Sequence, residues 1–410
     1  MQCGLLGKTL SHSFSPEIHK HLGDYPYALY EVSPENLGDF LNNTPFTGIN
    51  VTMPYKKDVI PYCSELSPVA KLLGAVNTIV RRPDGGLIGH NTDYFGFKSM
   101  VEHSGLAVSG KKVLVLGSGG ASVTVVAVLK ELDAKVVVVS RSGENNYENL
   151  HLHRDASLIV NTTPVGMYPN VDLSPVKLDL FPDLDGVLDI VYNPHRTALL
   201  LQAEKRCLVT ENGLWMLVAQ AKESAEWFTG NKIPDSVIAS IYQMLQSATE
   251  NIILIGMPGC GKSTVGKLLA DKIGKKFVDA DKFIEETAGI PIPEIFSTFG
   301  EAHFRKLETE ALAQLGKQSG LVIATGGGCV TVSDNYPSLH QNGKIIWLQR
   351  DIHTLPVEGR PLSQREQLEA MYARRAPMYH AFADAIVDNN DAPLNTVMQI
   401  ITMLEIGDTK

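Results

Sequence analysis

Short apolar runs alternate along most of the chain with longer stretches in which apolar positions recur at helical spacing. Lys112–Leu116 (KVLVL), Lys135–Val139 (KVVVV), Leu158–Val160, Asn251–Ile255 (NIILI), Leu321–Ala324 and Ile345–Leu348 are near-continuous apolar runs of strand length. Strands covered on both faces in a parallel sheet have this pattern. Helical periodicity follows most of them, as at Ser122–Leu132 and Ser263–Lys272. Strand and helix in alternation predict an α/β protein. A helical pattern over Asp235–Gln246 gives way to polar Ser247–Glu250, and a strand then opens at Asn251, so residues 247–250 are expected to be a linker. A second boundary is expected near Asp93–Met100, before the strand at Lys112. The amphipathic stretch Leu214–Phe228 (LWMLVAQAKESAEWF) is expected to pack back on the first domain.

The 410 residues exceed one ordinary core and predict two or three domains. A hydrophobic share of 44% and a charged share of 20% are those of a soluble globular chain. The net charge of -9 argues against nucleic acid or an anionic membrane as partner. Cys3, Cys63, Cys207, Cys260 and Cys329 are odd in number and dispersed, which predicts reduced thiols and a cytoplasmic setting. The first thirteen residues lack the apolar run of a signal peptide, and no stretch is long enough to span a membrane. His12, His19, His21, His151 and His153 read as surface residues, because no cysteine or carboxylate cluster completes a metal site.

Chemistry concentrates at two glycine turns. Gly256-Met257-Pro258-Gly259-Cys260-Gly261-Lys262-Ser263 matches the phosphate-loop pattern between a predicted strand and a predicted helix. Backbone N–H groups there wrap phosphates at a helix N-terminus. Gly256, Gly259, Gly261, Lys262, Ser263 and Thr264 are therefore the expected nucleotide-binding set, with Ser263 on Mg²⁺. Cys260 reads as a small residue at a variable loop position. Asp279 and Asp281, two residues apart, share one face of an extended chain.

These residues, with Gly300–Glu308 (GEAHFRKLE), Gly326-Gly327-Gly328, Arg360-Pro361-Leu362 and Arg375-Ala376-Pro377-Met378-Tyr379, resemble shikimate kinase motif by motif over roughly Asn251–Asn390. The resemblance implies that Asp279 holds Mg²⁺ through water and that Asp281 binds shikimate hydroxyls and accepts the attacking proton. It implies further that Arg305 and Arg375 clamp the carboxylate, that Gly326, Gly327 and Gly328 bring bare backbone against the ring, and that Arg360 steadies the phosphoryl group in transfer. Taken singly, Arg305 reads as a solvated helix residue, and Arg374 beside Arg375 as the solvated one of the two. The region between Leu348 and Arg360 is shorter than usual for the family, and no arginine in it can be assigned to the adenine.

The other turn, Gly117-Ser118-Gly119-Gly120-Ala121, follows one predicted strand and opens a helix. Ser140-Arg141-Ser142 ends the next strand with no acidic residue; an arginine there accepts a 2′-phosphate, which favours NADP(H). No second cation follows, so use of NAD alongside NADP stays open. Lys56 and Asp93 are a candidate proton-transfer pair. Ser11–Pro16, Asn50–Lys56, Gly74–Thr78, Gly89–Gly96, Asn161–Met167, Asp189–Thr197 and Gly213–Gln220 together resemble shikimate dehydrogenase from Gly4 to about Gly230. The resemblance implies that Ser13, Ser15, Thr52 and Tyr192 bind the substrate carboxylate, and that Lys56 and Asp93 are catalytic. Asn77, Asp93 and Gln220 would hold ring hydroxyls. Gly117, Gly119, Gly120, Ala121, Ser140, Arg141, Asn161 and Gly213 would hold or border the cofactor. Taken singly, Ser13 and Ser15 read as helix caps.

The expected architecture is a two-domain dehydrogenase with a Rossmann-like NADP domain, then a P-loop nucleoside-monophosphate-kinase-like α/β domain. Residues 1–95 plus 213–246 would bind shikimate, 96–212 NADP, and 251–410 would form the kinase. The expected function is reduction of 3-dehydroshikimate with NADPH followed by phosphorylation of shikimate with ATP and Mg²⁺. The alternatives are a quinate dehydrogenase fused to a kinase, or a chain with one half degenerate and regulatory.

Overall fold

The computed structural model describes residues 1–10, 13–355 and 365–404, the side chains of 365–367 excepted. It divides into two units: Met1–Tyr192 with Leu199–Met244, and Asn193–Ala198 with Leu245–Lys410. The segment Asn193–Ala198 is held in the second unit by backbone bonds from His195 to the Asn342 side chain (2.9 Å) and from Arg196 to Gln341 (2.8 Å).

The first unit contains two sheets. One comprises β1 (Cys3–Gly7), β2 (Tyr27–Glu31), β3 (Gly48–Val51), β4 (Glu65–Leu66), β5 (Thr78–Arg81) and β6 (Leu87–His90), in the order β2-β1-β3-β5-β6-β4. It is mixed: β1 runs parallel to both neighbours, whereas β5 pairs antiparallel with β3 and β6. The β5–β6 turn is closed by Asp84 Oδ1, which accepts from Gly86 N (3.0 Å), with Gly85 at φ +88°.

The other sheet is wholly parallel: β7 (Lys112–Leu116), β8 (Lys135–Val139), β9 (Leu158–Asn161), β10 (Gly186–Asp189) and β11 (Val209–Asn212), ordered β11-β10-β9-β7-β8. Val113 to Leu116 are fully buried, as the unbroken apolar run predicts. The chain reverses its winding between β7 and β9. That opens a crevice at their carboxyl ends, the place where ligands settle in such sheets.

The helix Asp93–Ser104 ties the two sheets together. Phe97, Met100 and Val101 pack with Val113, Val115 and Val125. Its other flank lies against the helix Leu214–Thr229, so the amphipathic stretch does pack back on the first part of the chain. Gly96 sits at the crossing, where a Cβ would meet the Met216 carbonyl oxygen at 2.7 Å and Gln220 Cβ at 2.9 Å. The boundary expected near Asp93–Met100 thus falls inside a continuous helix.

The second unit holds β12 (Asn251–Ile255), β13 (Lys276–Asp279), β14 (Leu321–Ala324), β15 (Gly343–Gln349) and β16 (Ala385–Asp388), all parallel and ordered β13-β14-β12-β15-β16. The phosphate-loop strand β12 is central, and its Ile252–Ile255 are at most 3% exposed. Residues 247–250 are not an extended linker. The helix Ser236–Thr249 runs through the first three of them, and the division between units falls inside it. Thr249 Oγ1 back-bonds to the Leu245 carbonyl (2.6 Å), so polar residues that read as a linker complete a helical turn. Among the described residues no helix is long and apolar enough to cross a membrane.

Replacing a helical glycine with alanine ordinarily stabilises by up to about 1 kcal/mol. Gly96→Ala should instead destabilise by about 1–3 kcal/mol, because its methyl group must push two packed helices apart. A raised thermal midpoint in this variant would contradict the packing described.

Candidate functional sites

In the first unit, β3 ends at Val51, and the N–H of the next residue, Thr52, donates to Leu6 O (2.9 Å). The following loop carries Lys56 and is pinned where Val76 N donates to Lys56 O (2.7 Å). Lys56 Nζ donates to Asp93 Oδ2 at 2.6 Å. Asp93 opens the helix Asp93–Ser104, and the two side chains keep 32% and 17% of their surface exposed, open to a small molecule.

Asn77 is 3% exposed and its amide is turned on Thr92: Oδ1 accepts from Thr92 N (2.7 Å) and Nδ2 donates to Thr92 Oγ1 (3.1 Å). It thereby orients the start of the Asp93 helix. Gln220 meets Thr92 Oγ1 at 3.4 Å and donates to Leu217 O at 2.9 Å. Beneath lies a buried network. Tyr27 OH donates to Asn50 Oδ1 (2.7 Å), and Asn50 Nδ2 donates to Ser224 Oγ (2.8 Å). Ser224 Oγ also meets Thr78 Oγ1 (2.9 Å) and Thr92 Oγ1 (3.0 Å). Asn50 and Thr78 stand inside quoted motifs but had no role assigned. Ser224 carried no signal in the sequence beyond its place on the amphipathic helix.

Ser13 and Ser15 precede and open the helix Ser15–Lys20; Ser13 Oγ accepts from Ser15 N (3.2 Å). Phe14 between them places its ring 5.9 Å from that of Tyr192, whose hydroxyl burial pushes above its ordinary pKa. His12 lies outside the described residues. His19 is not a surface residue: it is 1% exposed and stacked on Tyr27 at 4.0 Å, with Nδ1 2.8 Å from Tyr25 OH. It falls on the inward stripe of its helix, next to buried Ile18.

At the carboxyl ends of β7 and β9, Gly117 adopts φ +110° and Gly119 precedes the helix Gly120–Glu131. A Cβ on Gly119 or Gly120 would meet nothing within 4 Å, so open space faces this helix start. Ala121 lies in its first turn. Ser140 follows β8, its N–H donating to Asn145 O (3.0 Å), and Arg141 beside it is exposed. Asn161 differs from expectation: it is fully buried, and its amide is bound within the protein. Nδ2 donates to Asp189 Oδ1 (3.0 Å), while Oδ1 accepts from Thr163 N (3.0 Å) and Thr163 Oγ1 (2.7 Å). Gly213 lies with its backbone against Ile190, its N–H donating to Val191 O (3.1 Å).

In the second unit the phosphate loop turns through Gly256, Gly259 and Gly261, at φ +146°, +81° and +101°. Gly261 caps the helix Lys262–Ile273, with Thr264 in its first turn. Lys262 is 8% exposed and its Nζ donates to Gly256 O (2.9 Å) and Met257 O (3.0 Å). Ser263 Oγ donates to Asp279 Oδ2 (2.7 Å), so a hydroxyl and a carboxylate stand together. Cys260 is fully buried, with Sγ 3.9 Å from Lys262 Nζ.

Gly326–Gly328 draws the remaining residues together. A Cβ on Gly326 would lie 2.8 Å from both Asp281 Oδ1 and Glu308 Oε1. One on Gly327 would strike Pro258 of the phosphate loop at 2.6 Å, and one on Gly328 would collide with the Arg305 guanidinium. Arg305 is held by Glu308 (2.7 Å) and Glu301 (3.0 Å). Arg375, 5% exposed, donates to Gly327 O (3.0 Å), and Tyr379 OH donates to the same oxygen. Burial, aided by the charge of Asp279, lifts the Asp281 carboxyl above the usual range; burial does the same to Glu308. Glu308 is 1% exposed and was quoted only as the end of a motif. Arg360 lies outside the described residues.

A shikimate kinase family model matches residues 258–405, and one for the shikimate dehydrogenase substrate binding domain matches residues 5–79. Shikimate dehydrogenase (NADP(+)) of Clostridium beijerinckii is 34% identical over 265 residues, covering 60% of this chain and 97% of the relative. Among solved structures, a chorismate mutase/shikimate 5-dehydrogenase fusion protein from Clostridium acetobutylicum matches with a TM-score of 0.57 and 34% identity, over 60% of this chain and 97% of its own. Shikimate 5-dehydrogenase from Thermus thermophilus in complex with NADP(H) and shikimate matches with a TM-score of 0.55 and 30% identity, over 60% and 99%.

Burial lowers His19 to a pKa of about 3 and His90, stacked on Trp227 at 3.6 Å, to about 4. Unfolded histidine takes up its proton near pH 6.5, well before either folded ring does. The first unit should therefore lose stability progressively as pH falls from about 6.5 toward these lower values. Thermal melts at pH 7 and pH 5 should show a smaller drop for His19→Gln than for the unaltered chain. Equal drops would rule His19 out as a source.

Proposed function

The chain belongs to the shikimate dehydrogenase family through its first unit and carries a shikimate kinase domain in its second, and from that premise we propose that it reduces 3-dehydroshikimate to shikimate with NADPH and then converts shikimate and ATP to shikimate 3-phosphate and ADP. The observation that carries this reading is the presence, in one chain, of two reactive clusters. One is Lys56 with Asp93 at 2.6 Å. The other is Asp281, Arg305 and Arg375 around Gly326–Gly328, with Gly327 against the phosphate loop. A cytoplasmic setting belongs to the same reading and is supported by five free cysteines.

In the reductive step NADPH supplies a hydride. The Lys56 ammonium delivers a proton to the ring oxygen while Asp93 orients it. Ser13, Ser15, Thr52 and Tyr192 hold the substrate carboxylate, and Gln220 with Asp93 holds ring hydroxyls. Asn77 acts by fixing Thr92 and hence Asp93. Gly117, Gly119, Gly120 and Ala121 receive the pyrophosphate, and Ser140 with Arg141 the 2′-phosphate. Asn161 supports this site through the loop it holds, and Gly213 through the close approach it permits. The proposed limits are 1–95 plus 213–246 for the substrate-binding part, 96–212 for the NADP part and 251–410 for the kinase.

In the second step Asp281 accepts the proton of the attacking hydroxyl, its raised pKa suiting it to hold one. Arg305 and Arg375 fork the carboxylate, and Gly326–Gly328 lets the ring approach bare backbone. Ser263 and Asp279 present adjacent hard oxygen donors that fit Mg²⁺, which neutralises charge on the phosphates. An ion of this kind is commonly bound by one or two protein oxygens together with the phosphates of the nucleotide, and this pair supplies that number. Lys262 releases its loop carbonyls to meet the transferring group, and Arg360 is proposed to steady it.

A coupled assay with 3-dehydroshikimate, NADPH and MgATP should show both NADPH loss and ADP formation. Lys56→Ala should cut the first by about 10²–10⁴-fold and spare kinase activity on added shikimate. Lys262→Ala should do the converse, by about 10²–10³-fold. A variant that leaves its own step intact would sink the role given to that lysine. Kinase kcat should also fall as pH drops through a value above the ordinary 3.8 of an aspartate, because burial favours the protonated Asp281. A rate that stays flat to pH 4 would remove Asp281 as the base.

A further inference from the structure

A set of polar side chains in the first unit is shut away from water beneath the Lys56–Asp93 pair. Ser224 and Thr78 are 0% exposed, Thr92 1%, Asn77 3% and Asn50 6%. They come from β3, from the start of β5, from the residue before the Asp93 helix and from the helix Leu214–Thr229. Stability alone does not call for them, since apolar partners of the same shape would fill such space at little loss. What a fully paired polar set adds is one rigid arrangement.

The set has a direction, and it begins at Tyr27. A tyrosine hydroxyl carries one proton, and this one goes to Asn50 Oδ1 (2.7 Å). The Asn50 amide is thereby turned with its nitrogen inward, where Nδ2 donates to Ser224 Oγ (2.8 Å) and Thr78 Oγ1 (3.1 Å). Nδ2 also faces the Asn77 carbonyl (3.5 Å), an oxygen that can only accept, so the amide cannot be turned over. Ser224 spends its own proton on Gln220 O, one helical turn back (3.0 Å). It is then an acceptor toward Thr78 Oγ1 (2.9 Å) and Thr92 Oγ1 (3.0 Å). The threonine protons are left to Ser224, Asn77 Oδ1 and Gln220 Oε1.

The far side of this chain bears on the reductive site at two points. Thr92 directly precedes Asp93, and its N–H donates to Asn77 Oδ1 (2.7 Å), so the network sets the start of the helix from which Asp93 reaches Lys56. Gln220 Oε1 is turned inward onto Thr92 (3.4 Å), while its Nε2 gives one proton to Leu217 O (2.9 Å) and keeps the other for a ring hydroxyl. We infer that Tyr27 and Ser224 are positioning residues of the reductive step, and that the hydrogen-bond chain between them fixes Asp93 through Thr92 and sets which end of the Gln220 amide meets the ring. Ser224 is fully buried and acts only through its neighbours. Both residues stand outside every motif that pointed to the dehydrogenase. The inference rests on the reductive reading above.

The test uses the full chain as wild type, Tyr27→Phe, Ser224→Ala and the double variant. NADPH oxidation is followed at varied 3-dehydroshikimate and varied NADPH, with kinase activity on added shikimate measured alongside. Each single variant should lower kcat/KM for 3-dehydroshikimate by about five- to tenfold, the worth of one or two neutral hydrogen bonds. The loss should divide between a lower kcat, through Asp93, and a higher KM, through Gln220. The KM for NADPH and the kinase rate should hold within about twofold, which a general loosening of the first unit would not leave. The double variant should lose little more than the worse single one, since both break the same chain. Ser224→Cys, of nearly the same size, carries the comparison should the alanine variant unfold. A kcat/KM within about twofold of wild type in either single variant, or losses that multiply in the double, would overturn the inference and leave the reductive reading standing. Wild-type protein that does not oxidise NADPH with 3-dehydroshikimate would overturn both.

Discussion

Backbone N–H groups at the start of a helix, left bare by glycine at the carboxyl end of a buried parallel strand, are the constraint from which both halves of this molecule are built. β7 and β12 are buried on both faces, so neither strand offers a polar surface along its length. Polar groups can gather only where the strands end. There Gly117–Gly120 and Gly256–Gly261 expose helix starts that favour anions. A bulky side chain at these positions would fill the cradle or force the backbone out of the left-handed region, and the remaining site residues would have nothing to converge on.

Around each cradle, charged groups are held by other charged or polar groups rather than left to solvent. Lys56 is set by Asp93, which is set by a helix start that Asn77 and Thr92 orient over the Asn50, Thr78 and Ser224 network. Arg305 is set by Glu308 and Glu301, and Ser263 by Asp279. Buried polar networks of this kind are costly unless every member is paired, so they fix one arrangement. Several residues that a motif assigns to ligand contact, Asn77 and Asn161 above all, also hold their neighbours in place.

Much of this was legible along the chain. The strands β7, β12 and β14 begin and end where the apolar runs do, because near-complete burial leaves no polar position to blur their limits. The phosphate loop and the glycine turn after β7 were equally plain, since positive φ at the helix start demands glycine at set spacing. The mixed first sheet was not, because half-covered strands such as β2 and β5 lack a continuous apolar signature. Polar Ser247–Glu250 read as a linker because a solvated final helical turn and a loop have the same composition.

What the sequence determined by itself was the order of elements and the chemical types available: two phosphate-binding turns, one lysine–aspartate candidate and a set of arginines. Only the tertiary structure decided which of those side chains meet. Ser224 reaches Asn50 across 174 residues, and Arg375 reaches Gly327 across 48. Arg350 stands against Gly261 because parallel pairing sets β15 beside β12. Such contacts depend on sheet order and helix crossing, which no local pattern of hydrophobic and polar residues encodes.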